Sequence, residues 1–395
     1  MPVRNRRDVV LPPATIGILG GGQLGRMIAI DGRKMGYRFE VLDPTPDCPT
    51  AQVADGQVQA EYRDLAAAKQ LAERCDIVTY EFENVDADVA AVLEQSTAVP
   101  QGSSLLATTQ HRVREKTALH QAGLPVTPFV PIYALADLDS AYRQFSGEMV
   151  VKTSRGGYDG KGQWMVRSAA QFNEGVAAWS DILLANAAAS TRGDAGDAAL
   201  IAEQYIPFIG ECSVVVARNR RGEVAAFPAS ENVHVHHILH LSIVPARFDA
   251  SVMREAERLA RQVAEALDVI GLVAVEFFVT AGGELFINEL APRPHNSGHY
   301  TMDACATSQF EQHLRAICNL PLGDVSLLTP AVMVNVLGQH VEGVFDAMAD
   351  FPSNVKVHWY GKAEAKRDRK MGHLTILTED VEKAIAWIES TGIWG

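Results

Sequence analysis

The segment that most restricts the fold lies near the N-terminus, where two apolar runs flank one helical pattern. The first run begins at Thr15, a glycine cluster occupies residues 20–25, and the second run ends at Asp43. Two strands joined through a helix are expected to lie parallel. The reason is that parallel strands need a connection of a dozen or more residues, which is usually a helix. Similar alternation continues further along, so the sequence predicts an open, mostly parallel α/β domain over residues 14–115.

Size and composition exclude several broad classes of protein. A chain of 395 residues is long enough for about two to three domains. Its 48 acidic residues outweigh 35 basic ones, and the net charge of −13 would repel a nucleic acid. Five scattered cysteines without metal-ligand spacing indicate reduced thiols. Because no secretory signal pattern or apolar stretch of roughly 20 residues is seen, we expect a soluble, cytoplasmic protein that binds neither nucleic acid nor membrane.

The first glycine cluster has the spacing Gly20-x-Gly22-x-x-Gly25 between a strand and a helix, with Asp43 at the end of the next strand. This form matches the dinucleotide fingerprint. Glycines also let other anions, phosphate or carboxylate, approach the positive end of a helix. The pattern alone therefore leaves two alternatives open, an NAD-dependent oxidoreductase and a protein that binds another anion here.

A second glycine-rich loop, residues 156–162, follows the apolar run that contains Lys152. A P-loop needs Ser or Thr after its lysine and then a helix, whereas Lys161 is followed by Gly162 and a strand pattern. The loop is therefore predicted to be a hairpin tip that closes over a triphosphate, with its N–H groups and two lysines neutralising the phosphates. Farther along, the small and polar residues 186–197 predict an exposed loop.

A third motif pairs two carboxylates across a predicted β-hairpin. Gly282-Gly283 is a favoured two-residue turn, and a turn of that length places Glu276 opposite Glu289. Like charges facing each other across a ladder destabilise it unless a cation lies between them. Mg²⁺ suits such oxygen ligands, with Mn²⁺ as the alternative ion, and Asn288 would add a neutral oxygen. We therefore predict a divalent metal site in this hairpin.

Three further polar clusters each have more than one interpretation. The four histidines of residues 234–240 are compatible with zinc, but without acidic or thiol ligands in tight spacing a polar loop with one ligand-binding histidine is favoured. The strand end with Glu81 and Glu83 is either a ligand site or a solvated loop. A basic cluster near the C-terminal end is a solvated face or a site for one phosphate-sized anion. Its members are Lys356, Lys362, Lys366, Arg367, Arg369 and Lys370.

Taken together, these motifs resemble the ATP-grasp superfamily, and more closely the 5-(carboxyamino)imidazole ribonucleotide synthase family. The similarity covers about residues 15–375 and rests on ILGGGQLGRM, YEFENV, GGYDGKGQW, ENVHVHHILHLSIVPA, EFFV…INELAPRPHNSGH and YGKAEAKRDRKMGH. It implies a three-domain ATP-grasp fold of α/β and α+β class. A tail over residues 1–13 would precede an N-terminal Rossmann-like (pre-ATP-grasp) domain over 14–115, with a parallel sheet. A lid domain over 116–202 and a C-terminal domain over 203–395, with an antiparallel sheet, the metal hairpin and a phosphate-binding segment, would follow.

The resemblance also implies a reaction. ATP, 5-aminoimidazole ribonucleotide and bicarbonate would give ADP, phosphate and the N-carboxylated ribonucleotide, a step of purine biosynthesis. Carboxyphosphate forms first, and either its carboxyl carbon or CO₂ released from it is captured by the amine of the substrate. Such chemistry needs charge neutralisation, positioning and exclusion of water rather than a protein nucleophile.

Residue roles follow from the same resemblance. The catalytic positions are Lys161, Arg293 and His295, and the Mg²⁺ ligands are Glu276 and Glu289. The ATP-binding positions are Arg112, Lys152, Gly157, Tyr158, Asp159, Gly160, Lys161, Gly162, Gln163, Glu203, Gln204, Tyr205, Ile206, Glu211, His234, Asn288 and Glu289, with an adenine hinge that begins at Glu203. The positions around the ribonucleotide and bicarbonate are Gln23, Leu24, Glu81, Tyr158, Arg293, His295, Asn296, Lys362 and Arg369. Lys362 and Arg369 would bind the 5′-phosphate.

Three other functions remain as alternatives at this stage. A formate-using glycinamide ribonucleotide transformylase would share the ATP-grasp fold and differ in substrate. An NAD-dependent oxidoreductase would use the first glycine cluster, and a nucleotide sensor would bind ATP without turnover. A homodimer is expected from the resemblance alone.

Overall fold

The computed structural model describes residues 9–157, 161–190 and 197–395. Within these ranges, no helix is both long enough and apolar enough to cross a membrane.

The N-terminal part contains one four-stranded sheet in which every strand runs parallel to its neighbours, as predicted. Its strand order is β3-β2-β1-β4. Asp64 and Asp86 begin two of the helices by accepting hydrogen bonds from backbone N–H groups of the first turn. The elements are β1 Thr15–Leu19, α1 Gln23–Lys34, β2 Arg38–Leu42, β3 Gly56–Val58, α2 Leu65–Glu73, β4 Ile77–Tyr80, α3 Ala87–Leu93 and α4 Ser103–Thr109.

A connecting helix, α5 Arg112–Gln121, leads to a small antiparallel sheet with the order β5-β8-β6-β7. Two helices pack on this sheet, and the ring of Trp179 is fully buried between them and the strands. We call this unit the lid sheet. Its elements are β5 Phe129–Ile132, α6 Leu135–Gln144, β6 Met149–Thr153, β7 Gln163–Val166, α7 Ala169–Ser190 and β8 Leu200–Gln204.

Helix α7 corrects one prediction. The sequence predicts an exposed loop over residues 186–197, but α7 continues to Ser190. The reason is composition, because the alanines at residues 187–189 have the highest helix propensity and outweigh the flanking polar residues. Residues 191–196 lie outside the described part of the chain.

A large antiparallel sheet forms the rest of the molecule, with the order β14-β13-β9-β11-β12-β15-β17-β16 and with β10 paired to β9. The C-terminal strands extend the sheet rather than forming a separate one, because β15 pairs with β12. The elements are β9 Phe208–Arg218, β10 Val224–Ala226, β11 Ser230–Val235, β12 Ile238–Val244, α8 Ala250–Ala266, β13 Gly271–Thr280, β14 Leu285–Ala291, α9 Thr301–Ala304, α10 Gln309–Ile317, β15 Ala331–Leu337, α11 Val341–Ala347, β16 Val355–Trp359, β17 Lys370–Leu377 and α12 Val381–Ser390.

Helix α10 joins the large sheet to the N-terminal domain. Phe310 and Leu314 are fully buried in one apolar cluster with Ile28 and Phe39. Burial of side chains of this size contributes about 1.5–3 kcal/mol each. The cluster therefore holds the two parts of the molecule in a fixed relation, and the segments that precede and follow α10 are anchored at this junction.

The polar segment with the four histidines is part of a β-hairpin and not the predicted loop, with His234 in the first strand and His240 in the second. Residues 230–235 form β11, which pairs with both β9 and β12. Val233 and Val235 alternate with polar residues, a pattern typical of a half-buried strand that the histidines obscured. The β11–β12 turn is formed by His236 and His237, whose φ angles of 51° and 65° suit the two-residue hairpins that match strand twist.

The β13–β14 hairpin has the predicted pairing of Glu276 with Glu289, but its turn and its register near the turn differ from the prediction. The turn is longer than predicted, because Thr280 N–H bonds the carbonyl of Glu284 and Gly283 adopts a φ of 80°. That turn shifts the register by one residue. A β-bulge at Asn288 adds one residue to β14 and restores the opposition of the two carboxylates. The predicted two-residue turn is therefore wrong, whereas the predicted pair is correct.

Candidate active site

A cavity of about 1680 Å³ lies between the lid sheet, the large sheet and the N-terminal domain. The described residues that were predicted to bind ATP all line it, although they come from distant parts of the chain. They are Arg112, Lys152, Gly157, Lys161, Gly162, Gln163, Glu203, Gln204, Tyr205, Ile206, Glu211, His234, Asn288 and Glu289. The other three residues of that prediction, Tyr158, Asp159 and Gly160, lie outside the described ranges.

Two lysines and a glutamate form a buried ionic cluster on the lid side of the cavity. Lys152 Nζ lies 2.9 Å from Glu203 Oε2, and Lys116 Nζ lies 3.8 Å from Glu203 Oε1. Burial disfavours the charged carboxylate, but Lys116 and Lys152 outweigh it and lower the pKa of Glu203. The Glu203 side chain, expected in an adenine hinge, is therefore engaged with the lysines.

The glycine-rich loop is held at its base. The N–H of Thr153 donates to the carbonyl of Gly162 over 2.8 Å, and Arg112 donates to the carbonyl of Gly157 over 3.0 Å. A Cβ atom at Gly157 would lie 2.7 Å from the carbonyl oxygen of Lys161, so a side chain there would force the two arms of the loop apart. The described residues at the two ends of the loop, Gly156, Gly157, Lys161 and Gly162, line the cavity, where backbone N–H groups can approach phosphate oxygens.

The carboxylates of Glu276 and Glu289 face the cavity from adjacent strands. Burial, and then the charge of Glu289, raises the pKa of Glu276 to about 8. Adjacent side chains of a regular strand point to opposite faces, but the bulge lets Asn288 and Glu289 line the same cavity. The hairpin therefore directs three oxygen-bearing side chains at one place.

This donor set fits Mg²⁺. Among the described residues, no group of three or more His, Cys, Asp or Glu side chains is arranged to hold a metal, which leaves the zinc interpretation without support. Two carboxylates are enough for Mg²⁺ in phosphate sites, because substrate phosphates and water complete its shell. The oxygen of Asn288 lies 3.3 Å from Lys152 Nζ, so the predicted third ligand is engaged with the lysine.

The segment that follows β14 brings one cationic side chain, Arg293, and one histidine, His295, to the cavity. Arg293 donates to Glu83 of the N-terminal domain. Burial raises the pKa of Glu83, but Arg293 outweighs it and lowers the value to about 2. His295 Nε2 lies 3.2 Å from Glu276 Oε1, and burial, then Arg293, lowers its pKa well below the ordinary value. The ring is thus neutral and oriented towards the carboxylate pair. Asn296 lines the same cavity.

The first glycine cluster is filled by the protein's own carboxylates. Asp43 accepts from the N–H of Gly21 over 2.7 Å, and Glu81 accepts from those of Gly22 and Gly25 over 2.5 and 2.7 Å. A dinucleotide pyrophosphate at this loop would displace two buried carboxylates, or face them as like charges. The NAD interpretation of the fingerprint is therefore not supported, and the Glu81 strand end is buried rather than a solvated loop.

The predicted ribonucleotide positions fall into two groups. Arg293, His295 and Asn296 line the large cavity, whereas the remaining described positions lie outside its lining. Lys362 lies within electrostatic range of Glu81, and burial, then Arg369, lowers the pKa of Lys362 to about 8. The side chain of Gln52 holds this segment by donating to the carbonyl of Gly361 over 2.9 Å. The second group, at the first glycine cluster, comprises Gln23, Leu24, Glu81, Lys362 and Arg369.

Sequence reasoning missed several residues of the site. Lys116 is fully buried and donates to the carbonyl of Ile287 over 2.9 Å, next to the bulge. Glu83 and Lys370 were noted only as members of charged clusters, and both line the cavity. A lysine on the helix of residues 112–121 carried no signal, because its partners lie 87 and 171 positions away in the chain.

Comparison with known proteins decides the family. Three family models match in succession: a ribonucleotide synthetase preATP-grasp domain over residues 13–110, an ATP-grasp domain over 117–310 and a phosphoribosylaminoimidazole carboxylase C-terminal domain over 331–386. The N5-carboxyaminoimidazole ribonucleotide synthase of Bacillus subtilis is 44% identical over 389 residues, which cover 98% of this chain and 97% of that protein. The chain belongs to the N5-carboxyaminoimidazole ribonucleotide synthase family.

Solved structures of N5-carboxyaminoimidazole ribonucleotide synthases support the same family assignment. A crystal structure of an N5-carboxyaminoimidazole ribonucleotide synthetase with ADP has a TM-score of 0.90 and 50% identity, and the match covers 98% of each chain. The Aspergillus clavatus synthase in complex with ADP and 5-aminoimidazole ribonucleotide has a TM-score of 0.84 and 30% identity, with 96% and 97% covered. The predicted resemblance, the ATP-grasp fold class and the assignment as an ATP-dependent ligase are confirmed. The predicted domain boundaries and residue roles stay predictions.

We predict that Glu203→Gln lowers the stability of the free protein by about 3 kcal/mol, because it leaves two buried lysines without their counter-charge. ATP should raise the melting temperature of the variant more than that of the wild type, because phosphates would supply the missing charge to Lys152. Thermal unfolding with and without ATP measures both effects. If ATP raised the melting temperature of the variant less than that of the wild type, the Glu203 carboxylate itself would contact the nucleotide.

Glu255→Gln is the matched control for this experiment. Glu255 forms an exposed pair with Arg258 on α8. Exposed pairs of this kind contribute little to stability, so we expect its melting temperature and its response to ATP to equal those of the wild type.

Proposed function

We propose that the chain uses ATP and bicarbonate to carboxylate 5-aminoimidazole ribonucleotide through carboxyphosphate, giving ADP, phosphate and N5-carboxyaminoimidazole ribonucleotide. The observation that carries this proposal is the opposed pair Glu276 and Glu289 beside the glycine-rich loop, in one cavity with Arg293 and His295. A carboxylate pair suits a metal on ATP, and the cationic and neutral donors beside it suit an anionic acyl phosphate.

The chain's own residues perform three tasks in this proposal. Lys152, Lys161 and the loop N–H groups bind the phosphates of ATP, and Arg112 holds the loop. Arg293 and Lys161 neutralise the charge of carboxyphosphate, and His295, as a neutral donor, orients its oxygens. Mg²⁺, when bound by Glu276 and Glu289, would draw charge from the β- and γ-phosphates. The lid sheet closes the cavity and limits the water that would hydrolyse the labile intermediate.

The ribonucleotide is proposed to extend from the large cavity to the first glycine cluster. Its amine would lie near Arg293 and His295, and its 5′-phosphate would bind Lys362 and Arg369. The lowered pKa of Lys362 reflects a buried amine beside a second cation. A phosphate dianion would offset that repulsion, which supports the clamp. The proposal covers two species that the amine could capture, the carboxyl carbon of carboxyphosphate and CO₂ released from it.

Release of ADP tests this function and its alternatives. We expect release with Mg²⁺-ATP and 5-aminoimidazole ribonucleotide to increase with bicarbonate. Release with glycinamide ribonucleotide and formate would instead indicate the transformylase activity. Binding of ATP without release under any pairing would indicate a nucleotide sensor and contradict the proposal.

Glu289→Gln should reduce kcat by at least about 100-fold, because one of the two charges proposed to hold Mg²⁺ is lost. The fold should persist, since the side chain of Glu289 is half exposed. Glu284→Gln, an exposed position at the tip of the same hairpin, is the control and should keep the wild-type rate. Full activity of Glu289→Gln in the ADP assay would contradict the metal assignment.

Arg369→Ala should raise KM for the ribonucleotide about 10-fold or more, because a charge-assisted phosphate contact is lost equally from the ground and transition states. The control is Arg367→Ala, whose side chain is largely exposed. Steady-state kinetics at varied ribonucleotide concentration separate the two variants. An unchanged KM for Arg369→Ala would remove this residue from the clamp.

A homodimer and a cytoplasmic location complete the proposal. The dimer is supported by the family resemblance, and light scattering after size-exclusion chromatography measures it directly. The five cysteines all have free thiols, which is the usual state in a reducing compartment.

A further inference from the structure

The segment of residues 292–299 carries Arg293 and His295 between β14 and α9, outside any strand or long helix. One buried side chain bonds both backbone groups of His295, and the His295 carbonyl also accepts from the N–H of Gly298 over 3.0 Å. The Gln309 amide accepts from the N–H of His295 over 2.9 Å and donates to the carbonyl of His295 over 2.8 Å. Both backbone polar groups of one proposed catalytic residue are therefore satisfied by one amide.

The same amide also holds the far end of this segment. Gln309 Nε2 lies 2.9 Å from His299 Nδ1. Burial, and then the nearby His358, lowers the pKa of His299 to about 3, so its ring is neutral and Nδ1 can accept from the amide. Gln309 itself is fully buried. With two donated bonds and one accepted bond, its amide joins His295 and His299 across the turn between them.

The surroundings leave this amide little freedom to move. A Cβ atom on Gly298 would lie 2.7 Å from Gln309 Oε1 and 2.9 Å from the Val215 side chain, so the amide and the segment are in direct van der Waals contact. The backbone N–H of Gln309 donates to Thr301 Oγ1 over 2.9 Å. Gln309 is also the first residue of α10, the helix that joins the large sheet to the N-terminal domain.

The His295 ring depends on this backbone. Its Nδ1 lies 2.8 Å from Ser297 Oγ and its Nε2 lies 3.2 Å from Glu276 Oε1, so a displaced backbone would move the ring away from the carboxylate pair. We propose that Gln309 is a positioning residue that fixes the segment of residues 292–299 so that Arg293 and His295 meet the acyl phosphate intermediate. The inference rests on the proposed function, because it concerns the geometry of that same site.

A second glutamine on the same helix offers a matched control. Gln312 is also fully buried, and its amide bonds both backbone groups of one residue, donating to Gly323 O over 3.0 Å and accepting from Gly323 N over 2.7 Å. Gly323 and Gln312 do not line the cavity. Gln309→Met and Gln312→Met therefore remove the same kind of contact, at the site and away from it.

The experiment compares the two variants with the wild type by melting temperature, kcat, KM for ATP, and the ratio of ADP released to ribonucleotide carboxylated. Both variants should lose similar stability. Gln309→Met should lose about 10- to 100-fold in kcat, the effect of misplacing a reacting group by about 1 Å. It should keep KM for ATP and release more ADP per product, because the intermediate is less well held. Gln312→Met should keep the wild-type kcat and ratio.

Equal kcat and equal product ratio in the two variants would overturn the proposal and leave Gln309 as a structural residue. If Gln309→Met does not fold, Gly298→Ala tests the same contact, because its methyl group pushes on the amide while Gln309 is retained. Wild-type kinetics for Gly298→Ala would then overturn the proposal. Failure of the proposed function is a separate result, because it would appear in the wild type as ADP release that does not respond to bicarbonate.

Discussion

The opposition of Glu276 and Glu289 across β13 and β14 is the interaction on which the rest of the site depends. Two carboxylates at one rung repel each other, and burial raises the pKa of Glu276 to about 8. Such a pair is stable in its charged form only when positive charge is close. The Arg112 guanidinium supplies such a charge 3.7 Å from Glu289, whereas the neutral ring of His295 lies 3.2 Å from Glu276.

On the lid side of the cavity, two buried positive charges need a negative partner. Lys152 and Lys116 would be two buried cations without a partner, and Glu203 lies between them. The two lysines are thus compensated by Glu203 before a nucleotide arrives. The phosphates of ATP can then replace Glu203 as the partner of Lys152, which lowers the cost of burying these charges before ATP binds.

The N-terminal domain and the site meet through side chains rather than through the sheet. Arg293 pairs with Glu83, and Gln101 donates to the carbonyl of Pro292 over 3.1 Å, so two residues of the N-terminal domain hold the segment after β14. The buried cluster around Phe310 and Leu314 keeps that junction fixed. The first glycine cluster, where the ribonucleotide phosphate is proposed to bind, is thereby held in a fixed relation to the large cavity.

Much of the architecture could be predicted from local pattern. The crossover from Thr15 to Asp43 predicts the parallel sheet, and the glycine-rich loop after Lys152 predicts a hairpin tip. The β11 strand was missed because its polar residues and the histidines that follow it masked the alternating Val233 and Val235. The extension of α7 was missed because small residues suit both helix and loop.

Tertiary features explain the remaining differences. The pairing of Glu276 with Glu289 was correct although the turn was wrong, because no local pattern reveals that a bulge at Asn288 offsets the longer turn. The carboxylates that fill the first glycine cluster, and the role of Lys116, depend on contacts between residues far apart in sequence. Motifs therefore located the site, whereas the partners of each charge required the fold.

The most direct test of this account follows oxygen from bicarbonate. With ¹⁸O-labelled bicarbonate, Mg²⁺-ATP and 5-aminoimidazole ribonucleotide, the account predicts that each phosphate released carries one oxygen from bicarbonate, because bicarbonate attacks the γ-phosphate and its bridging oxygen leaves with the phosphate. Mass spectrometry of the phosphate measures this transfer. Phosphate that contains no labelled oxygen, while product still forms, would contradict a carboxyphosphate intermediate in this cavity.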